Sequence, residues 1–128
     1  MKYYINKKLK TSFENAVKQV TESLKNEGFG VLSEINIHEK LKEKLNVDFR
    51  KYKILGACIP SYAYKALQNE DKIGTMLPCN VIVQEFGENE IEVAAVDPVA
   101  SMMAIDNPDL SAIAKEIKEK LTRVIASL

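Results

Sequence analysis

The 128-residue sequence predicts an α+β fold, a mostly antiparallel five-stranded sheet with two long helices packed on one face. Two segments carry their apolar residues in a single stripe at helical spacing, so each helix must bury one side against another layer. Other segments alternate apolar with polar residues, which is typical of strands with one buried face. Two of these strands are separated by only three residues, a spacing that favours an antiparallel hairpin.

The first strand and the first long helix follow from local signals near the start of the chain. Residues 2–7 contain aromatic and β-branched side chains that favour a strand. Thr11 and Glu14 have the spacing of a capping box and predict where the helix begins. Gly28 supplies the left-handed residue that ends it. The apolar stripe of this helix comprises Phe13, Ala16, Val17, Val20 and Leu24.

The middle of the sequence predicts two strands, each followed by a helix. Residues 29–37 alternate and predict a strand, and residues 38–45 predict a short surface helix. Residues 52–59 predict a further strand, and Pro60 ends it and opens the next helix. The residues expected on the buried face of strand 29–37 are Phe29, Val31, Ile35 and Ile37. The residues expected to face inward from the helix after Pro60 are Ala63, Ala66 and Leu67.

The last third of the chain predicts a hairpin and a long amphipathic helix. Residues 80–86 and 90–97 form the hairpin, with residues 87–89 as its loop. Asn107 is a residue type that commonly caps a helix, and Pro108 is favoured at the first helical position, so a helix is predicted to begin here. The predicted order is β-α-β-(α)-β-α-β-β-α. The apolar stripe of the final helix comprises Leu110, Ile113, Ala114, Ile117, Leu121, Val124, Ile125 and Leu128.

The face of the sheet away from the helices is expected to be too apolar for a fully exposed surface. Large apolar patches on soluble proteins commonly mark ligand or protein contacts. We therefore expect either a homodimer or a ligand cleft over this face. Alternation predicts that the following side chains lie there: Tyr4, Leu32, Leu55, Ile82 and Phe86.

Composition limits the classes of partner. The chain has 18 basic and 18 acidic residues, so no excess of positive charge favours nucleic acid or an anionic membrane. We expect a single domain over residues 1–128, located in the cytoplasm because the first residues lack the apolar core of an export signal. In that compartment both cysteines are expected to be free thiols.

The two cysteines are the residues most able to carry chemistry. Cys58 and Cys79 each lie at a strand end, and antiparallel pairing of those strands would bring them close together. Cys58 also precedes a helix start, where backbone N–H groups favour the thiolate and predict a lowered pKa. Together with Asn80 and Ser61, these residues form the predicted ligand-binding site for a small molecule or a soft metal.

Several interpretations of this site remain open. The chain could be a binding module, a thiol enzyme or redox sensor in which Cys58 reacts and Cys79 resolves, or a structural dimerisation domain. Both thiols could equally be small buried apolar residues. A four-ligand zinc site is excluded because only two cysteines and one histidine are present, although Met102 and Met103 could extend a set of soft ligands. No catalytic triad is recognisable around Ser61, and no particular cofactor is indicated.

Two motifs give the chain a family resemblance. The first motif is Gly-Ala-Cys-Ile-Pro at residues 56–60, and the second is Leu-Pro-Cys-Asn-Val-Ile-Val at residues 77–83. Both resemble motifs of the uncharacterised family called domain of unknown function 302. A third segment, Val96-Asp97-Pro98 with the following Met102-Met103, also resembles this family. The resemblance implies a helix-gripping, TBP-like α+β domain of order β-α-β(4)-α. The family more often has Asn where this chain has Ile59, so that polar side chain is absent beside Cys58. The resemblance implies no reaction.

Overall fold

The computed structural model describes residues 2–128. The strands are β1 (Tyr4–Lys10), β2 (Gly30–Asn36), β3 (Tyr52–Cys58), β4 (Cys79–Gly87) and β5 (Glu90–Val96). The helices are α1 (Phe13–Asn26), α2 (Ile37–Leu45), α3 (Pro60–Asn69), α4 (Pro98–Ser101) and α5 (Pro108–Ala126), and a 3-10 helix spans Asp71–Met76.

The five strands form one sheet in the order β1-β5-β4-β3-β2, and all neighbours are antiparallel. Helices α1 and α5 cover one face and share a single buried core with the sheet. The predicted fold class is confirmed. Burial of each large apolar side chain there contributes about 1.5–3 kcal/mol. The core residues of the sheet are Leu55, Ala57, Val81, Val83, Ile91, Val93 and Ala95, and those of the two helices are Phe13, Ala16, Val20, Leu24, Ile117, Leu121, Val124 and Ile125.

Helix α1 is capped by Ser12 and not by Thr11. The Ser12 hydroxyl accepts a hydrogen bond from the backbone N–H of Asn15 at 3.1 Å, which satisfies a donor of the first turn. The Thr11 hydroxyl instead accepts from the side-chain amide of Asn15 at 2.7 Å. The predicted capping box of Thr11 and Glu14 is therefore wrong.

The predicted end of α1 and the predicted start of α5 are confirmed. Gly28 follows α1 with a φ of 91°, in the left-handed region that favours glycine. Asn107 caps α5 by accepting from the backbone N–H of Asp109 at 3.1 Å, and Pro108 is the first residue of the helix.

Strand β1 extends to Lys10, beyond the predicted range of 2–7. Lys8 pairs with Glu92 and Lys10 with Glu90 across the β1–β5 ladder. Residues of opposite charge that face each other in this way stabilise a sheet, and they prolong the strand past its apolar part.

A bulge in β2 changes the predicted alternation. Val31 pairs with Ala57 on the helix-covered face, and the register shifts between Val31 and Ser33. After the shift, Ile35 pairs with Ile54 on the opposite face. The prediction that Val31 and Ile35 share one buried face is wrong because the bulge inserts one residue and reverses the side-chain direction.

The sheet surface not covered by α1 and α5, here called the open face, contains Tyr4, Ile82 and Phe86 of the five predicted side chains. Leu55 was predicted there wrongly: it is 0% exposed and pairs with Val81 in the core, because its neighbour Ile54 occupies the open face. A homodimer over this face stays a prediction. Tyr4 and Ile82 are half-buried on the open face, whereas Leu32 and Phe86 are exposed at the bulges of β2 and β4.

The inward side of α3 also differs from the prediction. Ala66 is buried, but Leu67 is 45% exposed. Ile73 of the 3-10 helix, Ala66 and Leu110 pack together in one buried cluster. Ile73, and not Leu67, is therefore the large apolar side chain buried beside Ala66.

No helix within residues 2–128 combines the length and apolar composition needed to span a membrane.

Candidate functional site

The end of β3 meets the start of β4, and this brings the two cysteines together. Ala57 pairs directly with Cys79, and Cys58 is the next residue along β3. Both thiols are free. The predicted proximity of Cys58 and Cys79 is confirmed because both line one cavity.

This cavity, here called the sulfur cavity, has a volume of about 40 Å³ and lies between α3, α5 and the sheet end. A volume of about 10–15 Å³ already admits one water molecule, so the space suits a single ion or a very small molecule. Its lining contains no charged side chain. The residues around it include the sulfur-bearing Cys58, Cys79 and Met102, the aromatic Phe29 and Tyr62, and the apolar Ala63, Ala66, Leu77, Ile113 and Ala114.

The apolar lining keeps both thiols protonated. Burial raises the pKa of the Cys58 thiol above its usual value. Burial, with a smaller contribution from the nearby Cys58, raises the pKa of Cys79 to about 11. The predicted lowering of the Cys58 pKa is therefore wrong, because burial disfavours the charged thiolate. At neutral pH the thiolate fraction of each cysteine is therefore smaller than that of an exposed cysteine.

Helix α4 brings the third sulfur to the cavity. The Asp97 carboxylate caps this helix by accepting from the backbone N–H groups of Val99 and Ala100 at 3.0 and 3.3 Å. Met102 follows α4 and lines the sulfur cavity, whereas its neighbour Met103 is 63% exposed and does not.

Asp97 is also tied to the long helix α5. Lys118 Nζ lies 3.0 Å from the Asp97 carboxylate. Burial raises the pKa of Asp97, but the hydrogen bond and charge of Lys118 and the N–H groups of α4 lower it by more, so the pKa lies below its usual value. This carboxylate therefore fixes the segment that carries Met102 and stays ionised at neutral pH.

The other two predicted site residues lie elsewhere. Ser61 is exposed in the first turn of α3 and does not line the sulfur cavity. Asn80 is exposed and lines a groove on the open face. His38 is also distant from the thiols, since its Nδ1 accepts from the backbone N–H of Tyr52 at 2.9 Å. In the described part of the chain, no three His, Cys, Asp or Glu side chains come together in a metal-binding arrangement.

Sequence reasoning missed a polar network on the open face. Arg50 donates to Gln84, Gln84 donates to Glu92, and Asn6 donates to the same carboxylate. The one available signal was that Gln84 and Glu92 occupy alternate positions of the predicted hairpin that point away from its core face. The partners Asn6 and Arg50 could not be assigned without the strand order.

The sequence matches the family described as "Domain of unknown function DUF302" over residues 5–128. The chain belongs to this family. The family resemblance of the two cysteine motifs is thereby confirmed. A crystal structure of an uncharacterized conserved DUF302 protein from Bacillus stearothermophilus is similar to this DUF302 chain, with a TM-score of 0.89 and 28% identity over 98% of each chain. No curated protein matches the sequence.

Proposed function

We propose that this DUF302 domain is a binding module that holds one soft monovalent metal ion, of the chemical class of copper(I), in the sulfur cavity. One observation carries the proposal: Cys58, Cys79 and Met102 line a single cavity of about 40 Å³ that has no charged side chain. Thiolate and thioether ligands select soft ions such as copper(I), whereas hard cations require oxygen ligands.

The same lining argues against zinc. A structural zinc site requires four ligands in a tetrahedron, usually cysteine and histidine. The sulfur cavity offers two thiols and one thioether, and its lining includes no histidine or carboxylate. An ion that accepts few sulfur ligands therefore fits the site better than zinc does.

Binding of the ion is coupled to pH. Each thiol that binds as thiolate releases its proton to solvent. Because burial raises both thiol pKa values, binding should strengthen as pH rises.

The test is a copper(I) titration of the full chain under anaerobic, reducing conditions, in competition with a chromophoric copper(I) chelator. We expect one equivalent to bind. Cys58→Ala and Cys79→Ala should each weaken binding by at least about a hundredfold, and Met102→Leu by about tenfold. The matched control is Met103→Leu, which removes an exposed thioether beside the site and should leave the affinity unchanged.

Two results would contradict the proposal. The first is the absence of stoichiometric binding by folded wild-type protein. The second is an equal effect of Met102→Leu and Met103→Leu, which would place the ion outside the cavity. Both methionine variants conserve apolar volume, so this comparison holds even if a cysteine variant unfolds. The same titration with zinc(II) should show binding weaker by orders of magnitude than that of copper(I). Equal affinity for the two ions would also contradict the proposal.

A further inference from the structure

We propose that the open face carries a second, independent site, which binds a small planar carboxylate with an apolar body through the guanidinium of Arg50. The site lies on the sheet surface opposite the core and shares no lining residue with the sulfur cavity. It does not depend on the metal proposal.

Arg50 is held among three aromatic rings. Its guanidinium carbon lies 4.4 Å from the ring centroid of Phe49, 4.9 Å from that of Phe86 and 5.8 Å from that of Tyr52. A planar guanidinium over aromatic faces keeps its edges available for hydrogen bonds. The rings therefore orient Arg50 without using its donors.

A hydrogen-bonded chain fixes the same guanidinium from the sheet side. Arg50 Nε donates to Gln84 Oε1 at 3.0 Å, and Gln84 Nε2 donates to Glu92 Oε1 at 3.3 Å. Asn6 Nδ2 donates to the second Glu92 oxygen at 3.0 Å. Gln84 is only 7% exposed, although neither α1 nor α5 covers this face. Such a buried polar side chain positions its partners with little freedom.

The guanidinium lacks an acidic partner within residues 2–128. The other arginine of the chain, Arg123, pairs with Glu27. Arg50 forms none of the ion pairs of the described chain. Its terminal nitrogens form a fork that matches the geometry of a carboxylate, and a ligand can supply that group.

A groove next to Arg50 can receive the body of the ligand. It has a volume of about 400 Å³, within the range of small-molecule sites. Ala94 and Ile82 are paired neighbours on β5 and β4 and form its apolar floor, and Tyr4 and Tyr52 also line it. Gln84 and Tyr52 both line the groove and contact Arg50, so the anion and the apolar body belong to adjoining parts of one site.

Glu92 determines where the anionic group can lie. Its two carboxylate oxygens accept from Gln84 and Asn6, and Lys8 pairs with it across the β1–β5 ladder. An anion directly over Glu92 would be repelled. The ligand carboxylate therefore belongs on the Arg50 side of Gln84, with the apolar body toward Ile82.

The probe is benzoate, followed by NMR of the full chain with observation of the Arg50 Nε–H and Gln84 side-chain amide signals. We expect saturable shifts at both, and no saturable shift with benzyl alcohol, which has the same body without the charge. Arg50→Lys should weaken benzoate binding about tenfold, because lysine keeps the positive charge but cannot donate two parallel hydrogen bonds to a carboxylate. The matched control is Lys51→Gln, since Lys51 is the adjacent cation and pairs with Glu14 instead.

A second variant tests the apolar body. Ala94→Leu adds volume in the groove floor and should weaken benzoate about tenfold while leaving acetate unchanged. The proposal is overturned if benzoate causes no saturable shift at Arg50, if Lys51→Gln weakens binding as much as Arg50→Lys, or if inorganic phosphate binds as tightly as benzoate. The last result would indicate a general anion site without a role for the groove.

Discussion

The sulfur cavity and the open-face groove use the same two strands but have opposite chemistry. At the sheet end, β3 and β4 place Cys58 and Cys79 in a lining without charge, and burial keeps both thiols neutral. On the open face, β4 contributes Gln84 to a network that includes an unpaired guanidinium. Because side chains alternate along a strand, one pair of strands can supply a soft, uncharged site and an ionic one.

The largest effect expected from this comparison concerns neighbouring residues on opposite faces of β3. Leu55→Ala removes a fully buried side chain and should lower the free energy of unfolding by about 3–5 kcal/mol. Ile54→Ala truncates a half-buried side chain on the open face and should cost only about 1 kcal/mol. Urea denaturation measures both. Equal losses would mean that the two faces are not distinct in burial.

The second effect is on the pH dependence of the unfolding free energy, which is expected to differ between the wild type and a variant that lacks the Cys79 thiol. The pKa of Cys79 is about 11 in the folded chain, against an ordinary value of 9.0, so its stabilising contribution is complete below pH 9 and is lost as pH rises toward 11. Over that window the wild type should lose about 2–3 kcal/mol more unfolding free energy than Cys79→Ala. The variant is the control for lysine and tyrosine titration. Parallel pH profiles would show that the thiol is not buried.

A smaller effect is expected from substitution of Asp97, because its segment supports the sulfur cavity but not the open-face groove. Asp97→Ala removes the cap of α4 and the ion pair with Lys118, and should lower the unfolding free energy by about 1–2 kcal/mol. Asp97→Asn keeps a capping oxygen and should cost less. Thermal unfolding gives the stability of each variant. Copper(I) affinity should fall in Asp97→Ala as Met102 loses its support, while the benzoate shifts at Arg50 stay unchanged; a fall in both would contradict the independence of the sites.

The sequence predicted the elements well where a single periodic signal was present. The stripe of α5, its cap at Asn107 and the alternation in the hairpin are local properties, and each is confirmed. The proximity of Cys58 and Cys79 was predictable for the same reason, because it required only that β3 and β4 pair.

The parts that could not be predicted depend on irregular or distant contacts. The bulge of β2 reverses the direction of Ile35, and a propensity pattern contains no signal for an inserted residue. The raised thiol pKa values depend on how closely α3 and α5 cover the sheet end, which the residues near Cys58 do not reveal. The network from Asn6 to Arg50 joins strands from opposite ends of the chain.

The most direct test of the metal site is X-ray absorption spectroscopy at the copper edge, on the full chain loaded with one equivalent of copper(I). If the ion lies in the sulfur cavity, the first coordination shell should contain sulfur alone, and Met102→Leu should remove one sulfur scatterer while Met103→Leu removes none. A shell dominated by nitrogen or oxygen, or one that both methionine variants leave unchanged, would contradict the account.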